Sequence, residues 1–529
     1  MKHSSLFVMM LIVPVLSAQP YNTSITTDSD WYGWEAVLVE NELIATATVP
    51  AIGARVMQYD LGTHQSIYHN HSLDGDTFTP RIKNNYDNFG GFKNWPSPQW
   101  GQEGWGWPPP PTLDYGEYTF DPKESSDDSV LIRLASQIEQ YRTPDLQFVR
   151  EMTLYKNSSR VKMKQILVNH GSSEQTQGIW DNTQSIVKHT GETDYEYFWT
   201  YFPINPQSEF GSDGVRTDKP SPAWVGEVAT GIYGTQFVPN AQKLFADPDK
   251  GWICHVDERD GVAYAKTFPV FEGSSYPDEG ARIAVYMGVD YVEVEVMGPV
   301  ETIPADGGQI EFIIDWWAAK VNGPILNVNN VGAVNQFLKL SGETLTGNYG
   351  IFHVGTVKAV FINDAGIVAG EGLENAVTPL ENFAYSEIVS IPENTSRIEL
   401  RAYTPDGTMI GTLDGDDLEN LTGVKTATKR QFTTFELSQN YPNPFNPSTQ
   451  MKVNLNRDGN LKLIIYDVTG RMIRVLSEGF HCSGEYCFTW NGHDLNEKEV
   501  PAGVYLCYME FTDYANQIRT MTKKMHLIR

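Results

Sequence analysis

Cysteine is scarce in this chain, which has only four cysteines in 529 residues. The hydrophobic cores therefore do not depend on disulfide bonds, as the cores of small secreted domains do. Cys482 and Cys487 flank a Ser-Gly-Glu segment that is typical of a hairpin tip, so we expect a local disulfide between them. A metal site formed by these two cysteines with Cys507 and His481 is the alternative.

Basic side chains are also few, because 39 Lys and Arg stand against 66 Asp and Glu, a formal net charge of −27. This charge repels phosphate groups and argues against nucleic acid and anionic membrane surfaces as partners. It argues against polyanionic substrates as well, unless basic residues cluster locally in the site. Hydrophobic residues make up 40% of the chain, enough for real cores, so disorder is excluded for most of its length.

Long apolar runs are absent beyond the N-terminus. Residues 1–18 combine Lys2 and His3 with an apolar run from Leu6 to Leu16 and a small-residue cleavage site. This is the pattern of a secretory signal peptide. The apolar run is shorter than the ~20 residues that cross a bilayer. We therefore expect no transmembrane segment and a mature protein that is secreted or held at the outer cell surface.

Several catalytic motifs are missing. The sequence contains no Walker loop, no GxGxxG, no HExxH and no GxSxG, and we predict no cofactor. His69, His71, Asp74 and Asp76 could form a metal cluster, since histidines two residues apart share one face of a strand. Loop histidines without spaced partners are usually solvated, so we predict no metal site.

Short β-prone segments separated by Gly, Pro and Asn turns fill residues 31–320. Val292, Val294 and Val296, for example, alternate strictly with Glu293 and Glu295. No long amphipathic helix is evident. This pattern predicts an all-β chain whose first domain is a large antiparallel β-sandwich.

Three further blocks follow the predicted sandwich. Residues 322–417 are again rich in strands and suit an accessory β-domain. Residues 418–434 are polar and rich in threonine, as a linker is. Residues 435–529 contain regularly spaced strands that predict a small immunoglobulin-like sandwich.

The last block carries five short motifs in a fixed order. They are Asn440-Tyr441-Pro442-Asn443-Pro444-Phe445-Asn446-Pro447, Ile465-Tyr466-Asp467, Gly470-Arg471, Trp490-Asn491-Gly492 and Gly503-Val504-Tyr505. Together they resemble the type A sorting domain of the type IX secretion system, which is related to the flagellar-hook-capping immunoglobulin-like module. The resemblance implies export through the inner membrane and then outer-membrane passage by the type IX machinery.

Residues 88–111 hold four of the thirteen tryptophans among glycines, prolines and amides. No helical or strand period fits this run, so we predict an ordered loop. Flat indole faces suit a ligand with apolar faces and a hydroxylated edge, such as a sugar, and one covered pyranose face contributes roughly 1–2 kcal/mol. A hydrophobic plug is the alternative. The candidate ligand-binding residues of this run are Asn88, Lys93, Trp95, Gln99, Trp100 and Trp107.

Motifs spread over residues 35–320 carry a second resemblance. They are Pro50-Ala51-Ile52-Gly53-Ala54-Arg55-Val56-Met57, Asn88-Phe89-Gly90-Gly91, Trp95-Pro96-Ser97-Pro98-Gln99, Asn169-His170-Gly171, Gly178-Ile179-Trp180 and Tyr291-Val292-Glu293-Val294-Glu295 with Pro299. They resemble an uncharacterised bacterial domain family related to the galactose mutarotase-like supersandwich. The resemblance implies two sheets whose concave face holds a sugar or oligosaccharide.

Three further residues complete the candidate ligand-binding set. Arg55 could grip a carboxylate or vicinal hydroxyls, or form a structural salt bridge. Glu293 and Glu295 point to the same face of one strand, where paired carboxylates do acid–base work if their pKa values are driven apart. An ordinary solvent-facing strand gives the same alternation.

No residues can be assigned to catalysis. A mutarotase-type reaction needs a His acid and a carboxylate base, and His170, His189 and His255 do not align with such a pair. Lys266, Tyr276 and Arg282 are of the types that a lyase uses, as is Arg55. The sequence therefore predicts a carbohydrate-binding protein, of epimerase or lyase type if it acts on the sugar; a non-catalytic surface or adhesive structural protein is the alternative.

Overall fold

The computed structural model describes residues 21–82, 86–100, 104–189, 191–211, 213–421, 436–440, 442–455, 459–481, 484–495, 498–513 and 518–528. The chain divides into two compact units, Met1–Gly423 and Val424–Arg529. The predicted signal peptide, most of the predicted linker and Cys482 fall outside the described residues, and with Cys482 the predicted disulfide. Among the described residues, no helix is both long and apolar enough to cross a membrane.

The described residues of the first part of unit one form 22 strands, three short 3-10 helices and two short α-helices, α1 (Pro111–Tyr115) and α2 (Pro277–Gly280). The strands are β1 (Ser24–Trp31), β2 (Trp34–Glu40), β3 (Ile44–Val49), β4 (Arg55–Leu61), β5 (His64–Gln65), β6 (Phe92–Ser97), β7 (Thr119–Ser125), β8 (Ser129–Ala135), β9 (Leu146–Tyr155), β10 (Val161–Asn169), β11 (Gln175–Ser185), β12 (Phe198–Pro203), β13 (Val215–Thr217), β14 (Trp224–Ala229), β15 (Ile232–Gln236), β16 (Gln242–Ala246), β17 (Trp252–Asp257), β18 (Val262–Thr267), β19 (Ile283–Met287), β20 (Val292–Met297), β21 (Glu301–Ile303) and β22 (Gly308–Lys320).

These strands form two antiparallel sheets. The first sheet has 12 strands in the order β1-β2-β3-β4-β6-β11-β20-β19-β16-β13, with β21 beside β11 and β5 beside β4. The second sheet has 10 strands in the order β14-β15-β12-β17-β18-β22-β10-β9-β8-β7. Apolar side chains of both sheets, such as Ile179 and Val294 of the first and Met163 and Ile314 of the second, share one core. The predicted all-β class with a large antiparallel sandwich is confirmed.

Nine more strands complete the described part of unit one, followed by α3 (Leu418–Leu421). They are β23 (Asn327–Val328), β24 (Gly332–Ser341), β25 (Thr344–Ile351), β26 (Gly355–Asn363), β27 (Val368–Glu371), β28 (Asn375–Val377), β29 (Asn382–Ile388), β30 (Thr395–Tyr403) and β31 (Met409–Asp417). A sheet in the order β23-β24-β25-β29 and a sheet in the order β27-β26-β30-β31, with β28 beside β26, enclose a separate core.

Unit two has seven described strands. They are β32 (Glu436–Leu437), β33 (Thr449–Leu455), β34 (Gly459–Asp467), β35 (Met472–His481), β36 (Gly484–Trp490), β37 (Gly503–Asp513) and β38 (Ile518–Leu527). A sheet in the order β32-β33-β36 faces a sheet in the order β35-β34-β37-β38. Phe445, Trp490 and Tyr505 belong to the core between these sheets.

The prediction that residues 88–111 form a loop is wrong for part of the run. Phe92–Ser97 is strand β6, which pairs with β11 inside the first sheet, and Pro111–Tyr115 is helix α1. All six residues of β6 are buried, on both faces of the strand. A strand covered on both faces does not alternate polar with apolar residues, so its sequence lacks the usual strand signal.

Candidate functional site

Three neighbouring strands of the first sheet, β6, β11 and β20, together with Lys243 of the nearby strand β16, carry a cluster of polar and aromatic side chains. Successive residues of a strand point to opposite faces, so Phe92, Ile179 and Val294 enter the core while their neighbours face away from the second sheet. We call the side chains on that other face the outer-face cluster. Its members are Lys93, Trp95, Trp180, Asn182, Gln184, Lys243, Glu293 and Glu295.

Strand register brings the members of this cluster together. Lys93 lies opposite Asn182, and Trp95 lies opposite Trp180, in the pairing of β6 with β11. Gln184 lies opposite Glu293 in the pairing of β11 with β20. Directly opposite residues in a sheet have Cβ atoms about 5 Å apart, so their side chains touch.

Glu293 is held by two donors. Lys93 Nζ lies 3.0 Å from Glu293 Oε1 and donates to Asn182 Oδ1 at 3.1 Å. Gln184 Nε2 donates to the same Glu293 oxygen at 2.8 Å. Burial lowers the pKa of Lys93, while the charge of Glu293 opposes that shift.

Glu295 lies two residues after Glu293, on the same face of β20, and is fully buried. Trp180 Nε1 donates to Glu295 Oε2 at 3.1 Å, and Lys243 Nζ lies 2.8 Å from the same oxygen. The Lys243 ammonium also lies 4.4 Å from the centroid of the Trp180 ring, a cation–π contact. The indole and the ammonium therefore fix the position of this carboxyl group.

The two glutamates have pKa values that move in opposite directions. Burial, together with the charge of Glu293, raises the pKa of Glu295 to about 8. Burial also raises the pKa of Glu293. The charges of Lys93 and Lys243 and the Gln184 hydrogen bond outweigh burial, so the net effect is a lowered pKa. At neutral pH the pair therefore holds one proton, on Glu295, which is the arrangement of an acid–base pair.

Arg55 lies beside this cluster and is fully buried. One of its terminal nitrogens lies 2.8 Å from Asp114 Oδ1, and the other donates to the Gly90 carbonyl at 3.0 Å. Trp95 Nε1 donates to the same Asp114 oxygen at 2.7 Å. Gly53 permits this packing, because a Cβ there would lie 2.0 Å from the Asp114 carbonyl oxygen. Arg55 therefore forms a salt bridge with Asp114 of the protein, the second of the two roles expected from the sequence.

The four tryptophans of residues 88–111 divide into two pairs. Trp95 and Trp105 are buried, whereas Trp100 is 60% and Trp107 46% exposed. The Trp107 ring centroid lies 6.2 Å from that of Trp95 and 5.0 Å from that of Tyr86. Two indoles of the segment are therefore buried in the protein and two are exposed to solvent. Trp107 adjoins the outer-face cluster through Trp95.

Asn88 and Gln99 make hydrogen bonds within their own segment. Asn88 Oδ1 accepts from the Gly90 amide at 3.2 Å, and the Gln99 carbonyl accepts from the Gly106 amide at 2.8 Å. Both residues are half-buried. Their contact with a ligand stays a prediction.

The potential catalytic residues His170 and Lys266 lie away from the outer face. His170 Nε2 contacts Gln147 Oε1 at 2.9 Å at an exposed position. Lys266 is buried between the two sheets, paired with Asp181. The structure does not bring these two side chains to the outer-face cluster.

Sequence reasoning missed Asp114, Asn182, Gln184 and Lys243. Asn182 and Gln184 alternate along β11 with Trp180, which is a detectable signal. Asp114 and Lys243 carry no such signal, because Asp114 is 59 residues from Arg55 and Lys243 is 52 residues from Glu295.

Some buried polar atoms near the cluster have no hydrogen-bond partner among the described residues. They are Asn182 Nδ2, Gln184 Oε1 and Asp114 Oδ2. Buried polar groups in folded proteins are nearly always paired. All three atoms are buried from solvent, so a ligand reaches them only if neighbouring side chains move.

No family model matches the chain, and no curated protein matches it. Among solved structures, it is similar to the Slr1438 protein of Synechocystis sp. PCC 6803, at 12% identity and a TM-score of 0.38, over 56% of this chain and 99% of that one. It is also similar to a galactose mutarotase-like protein of Clostridium acetobutylicum, at 10% identity and a TM-score of 0.37, over 57% of this chain and 99% of that one.

A galactose mutarotase-like protein of Lactobacillus casei ATCC 334 is similar at 10% identity and a TM-score of 0.36, over 54% of this chain and 99% of that one. Likeness at this level assigns no activity to the chain, since one fold hosts many functions.

Proposed function

We propose that this protein binds carbohydrate on the outer face of the first sheet, with Trp107 and Trp100 as its apolar platform. The observation that carries the proposal is Trp107, a half-exposed indole that adjoins a cluster of carboxylates, ammonium groups and amides. Tryptophan covers the apolar face of a pyranose, and each covered face contributes roughly 1–2 kcal/mol. The polar groups beside it suit the hydroxyls at the edge of the ring.

The polar part of the proposed site is reached through its least buried members. The side chains of Lys243 and Glu293 are 18% and 10% exposed, whereas Glu295 is fully covered. Gln184 Oε1 and Asn182 Nδ2 have no protein partner among the described residues, but both are buried, so they would contact a sugar only after a side-chain movement. The formal charge of −27 favours a neutral saccharide over a polyanionic one.

Turnover of the bound sugar is the finer part of the proposal. Glu293, ionised and partly exposed, is the candidate base, and Glu295 holds the proton beside it. An epimerase or lyase requires a carboxylate that takes a proton from the sugar, and Glu293 is the member of the pair that a sugar can reach.

A non-catalytic structural protein is the second candidate, and burial favours it. Lys93 is 1% exposed and Glu295 is fully buried, so their ion pairs could serve only to hold the outer face together. Under this alternative the exposed indoles bind no sugar.

The test is affinity electrophoresis of the full-length protein in gels that contain neutral plant and algal polysaccharides. At least one polysaccharide should retard the wild-type protein, and Trp107→Ala should weaken this retardation. Phe337→Ala is the matched control, because Phe337 is 48% exposed on β24. Absence of retardation across the whole panel would exclude carbohydrate binding.

Turnover is tested separately. On uronate-containing polysaccharides, ultraviolet absorbance from unsaturated uronates would report a lyase, and on free sugars a change of optical rotation would report an epimerase. One of these signals should appear with wild-type protein and be lost in Glu293→Gln. Retardation without either signal would keep the binding proposal and reject catalysis of both types.

We further propose that the protein is exported and that residues 435–529 direct it through the type IX secretion system. The five motifs between Asn440 and Tyr505 support this proposal, as does the pattern of residues 1–18. In a bacterium with this system, the full chain should reach the surface or medium. A chain ending at residue 434 should stay in the periplasm, and export of that shortened chain would contradict the proposal.

A further inference from the structure

A second cluster of titratable side chains lies apart from the outer-face cluster. His64 is in β5 of the first sheet, and Asp257 ends β17 of the second. His189 follows β11, and Asp260 lies in the turn between β17 and β18. We call these four residues the His–Asp cluster; it joins strands of both sheets, and no member belongs to the outer-face cluster.

The Nε2 atoms of both histidines in the His–Asp cluster lie close to the same carboxylate oxygen of Asp257. His64 Nε2 lies 3.0 Å and His189 Nε2 lies 2.8 Å from Asp257 Oδ2. Asp260 Oδ2 lies 3.4 Å from His189 Nε2. The other Asp257 oxygen accepts from the backbone amides of Arg259 at 3.1 Å and Asp260 at 3.2 Å, which fixes the orientation of the carboxylate.

An outer carboxylate orients one of the imidazoles. His189 Nδ1 is hydrogen-bonded to Asp194, whose carboxylate is in turn paired with Arg259. When Nδ1–H donates to Asp194, the lone pair of Nε2 faces Asp257 Oδ2. Two acceptors 2.8 Å apart repel each other unless a cation or a proton lies between them. A carboxylate on the far nitrogen is the usual partner of a metal-bound histidine.

The separations also fit the size of a zinc coordination sphere. Zinc bonds to His and Asp of 2.0–2.2 Å in a tetrahedron place neighbouring ligand atoms about 3.3 Å apart. Three of the separations are 2.8, 3.0 and 3.4 Å, and the ligand atoms of His64, Asp257 and Asp260 lie within 4.8 Å of one another. The site is also sheltered, because the side chains of Asp257, His64 and His189 are 2%, 10% and 17% exposed.

Charge favours a cation here as well. Asp194, Asp257 and Asp260 lie together with Glu192, and Arg259 is the cation paired with Glu192 and Asp194. With both imidazoles neutral, a divalent ion would offset the two remaining carboxylates, Asp257 and Asp260. Burial of such carboxylates without compensation is costly.

We propose that the His–Asp cluster is a structural site for a divalent transition metal of the zinc class, ligated by His64 Nε2, His189 Nε2, Asp257 Oδ2 and Asp260 Oδ2. Four protein ligands close the coordination sphere, which is the pattern of structural rather than catalytic zinc. The ion links β5 of the first sheet to β17 of the second, so it ties the two layers together at this end of the sandwich.

The experiment uses full-length protein that has been treated with a chelator and then dialysed. Titration with zinc chloride, followed by elemental analysis, should give one tightly held equivalent that His64→Gln, His189→Gln and Asp260→Asn each abolish. Cobalt(II) in place of zinc should give the visible absorption of a tetrahedral site. His170→Gln is the control, since His170 is exposed and bound to Gln147.

Two outcomes would overturn the proposal. One is no stoichiometric uptake of zinc or cobalt, which leaves protons as the bridges between the imidazoles and Asp257. The other is uptake that survives His64→Gln but is lost in His71→Gln, which would move the ion to the group formed by His69, His71 and Asp74. Asp260→Asn guards against misfolding, because the Asp260 side chain is 43% exposed.

Discussion

Two buried lysines lie against opposite faces of the first sheet. Lys93 belongs to β6 of that sheet, whereas Lys266 belongs to β18 of the second sheet and packs against the inner face of the first. Lys266 lies between the sheets, paired with Asp181, and donates to the Val294 carbonyl at 2.7 Å. Lys93 lies on the outer face, where it pairs with Glu293, whose pKa is lowered while that of the neighbouring Glu295 is raised. The inner pair is fully buried, whereas the outer group reaches solvent through Lys243, whose side chain is 18% exposed. Burial alone therefore does not separate structural from functional charge.

The largest expected effect comes from breaking the inner pair. Lys266→Met should leave Asp181 as an uncompensated buried charge and lower the free energy of unfolding by about 3–5 kcal/mol. Urea unfolding of the full-length protein, followed by near-ultraviolet circular dichroism, measures this change. Lys164→Met, which breaks the exposed pair with Glu311, should cost less than about 1 kcal/mol. Equal losses in both variants would remove the distinction between buried and exposed pairs.

A smaller effect is expected in the pH dependence of stability. The pKa of Glu295 is raised in the folded protein to about 8, from its ordinary value of 4.5. Between these values the folded state holds a proton that the unfolded state has lost. The stabilisation by Glu295 is therefore complete below about pH 4.5 and decreases as pH rises towards 8, by at most about 1.4 kcal/mol per pH unit.

Glu295→Gln should remove this slope, because glutamine stays neutral at every pH. Urea midpoints of wild type and variant at pH 5, 6, 7 and 8 give the comparison. Glu311→Gln, at an exposed carboxylate, should leave the slope unchanged. A wild-type slope that persists in Glu295→Gln would show that Glu295 does not hold the proton.

The smallest expected effect is on sugar binding at Trp107, beside the outer-face cluster. Trp107→Ala should weaken binding of the best saccharide about tenfold, which corresponds to about 1.4 kcal/mol, because one stacking face is lost. Thermal unfolding should change little, since the Trp107 side chain is half-exposed. Isothermal titration calorimetry measures the affinity. Loss of stability with unchanged affinity would make Trp107 a structural residue.

The all-β fold and part of the outer-face cluster could be predicted from the sequence. Alternation along residues 292–296 placed Glu293 and Glu295 on one face, and the structure keeps them there. Their burial was not predictable, because β6, β11 and α1, which build the surroundings, come from distant parts of the chain. The strand at 92–97 was missed since both of its faces are covered. Lys243 approaches Glu295 only through the pairing of β16, β19 and β20.

The most direct measurement is a crystal structure of the full-length protein with the oligosaccharide that binds best. We expect one sugar ring to lie flat on Trp107, with a hydroxyl hydrogen-bonded to Glu293, Gln184 or Lys243. A sugar bound elsewhere on the molecule, with the outer face of the first sheet unchanged, would contradict the assignment of this face as the binding site.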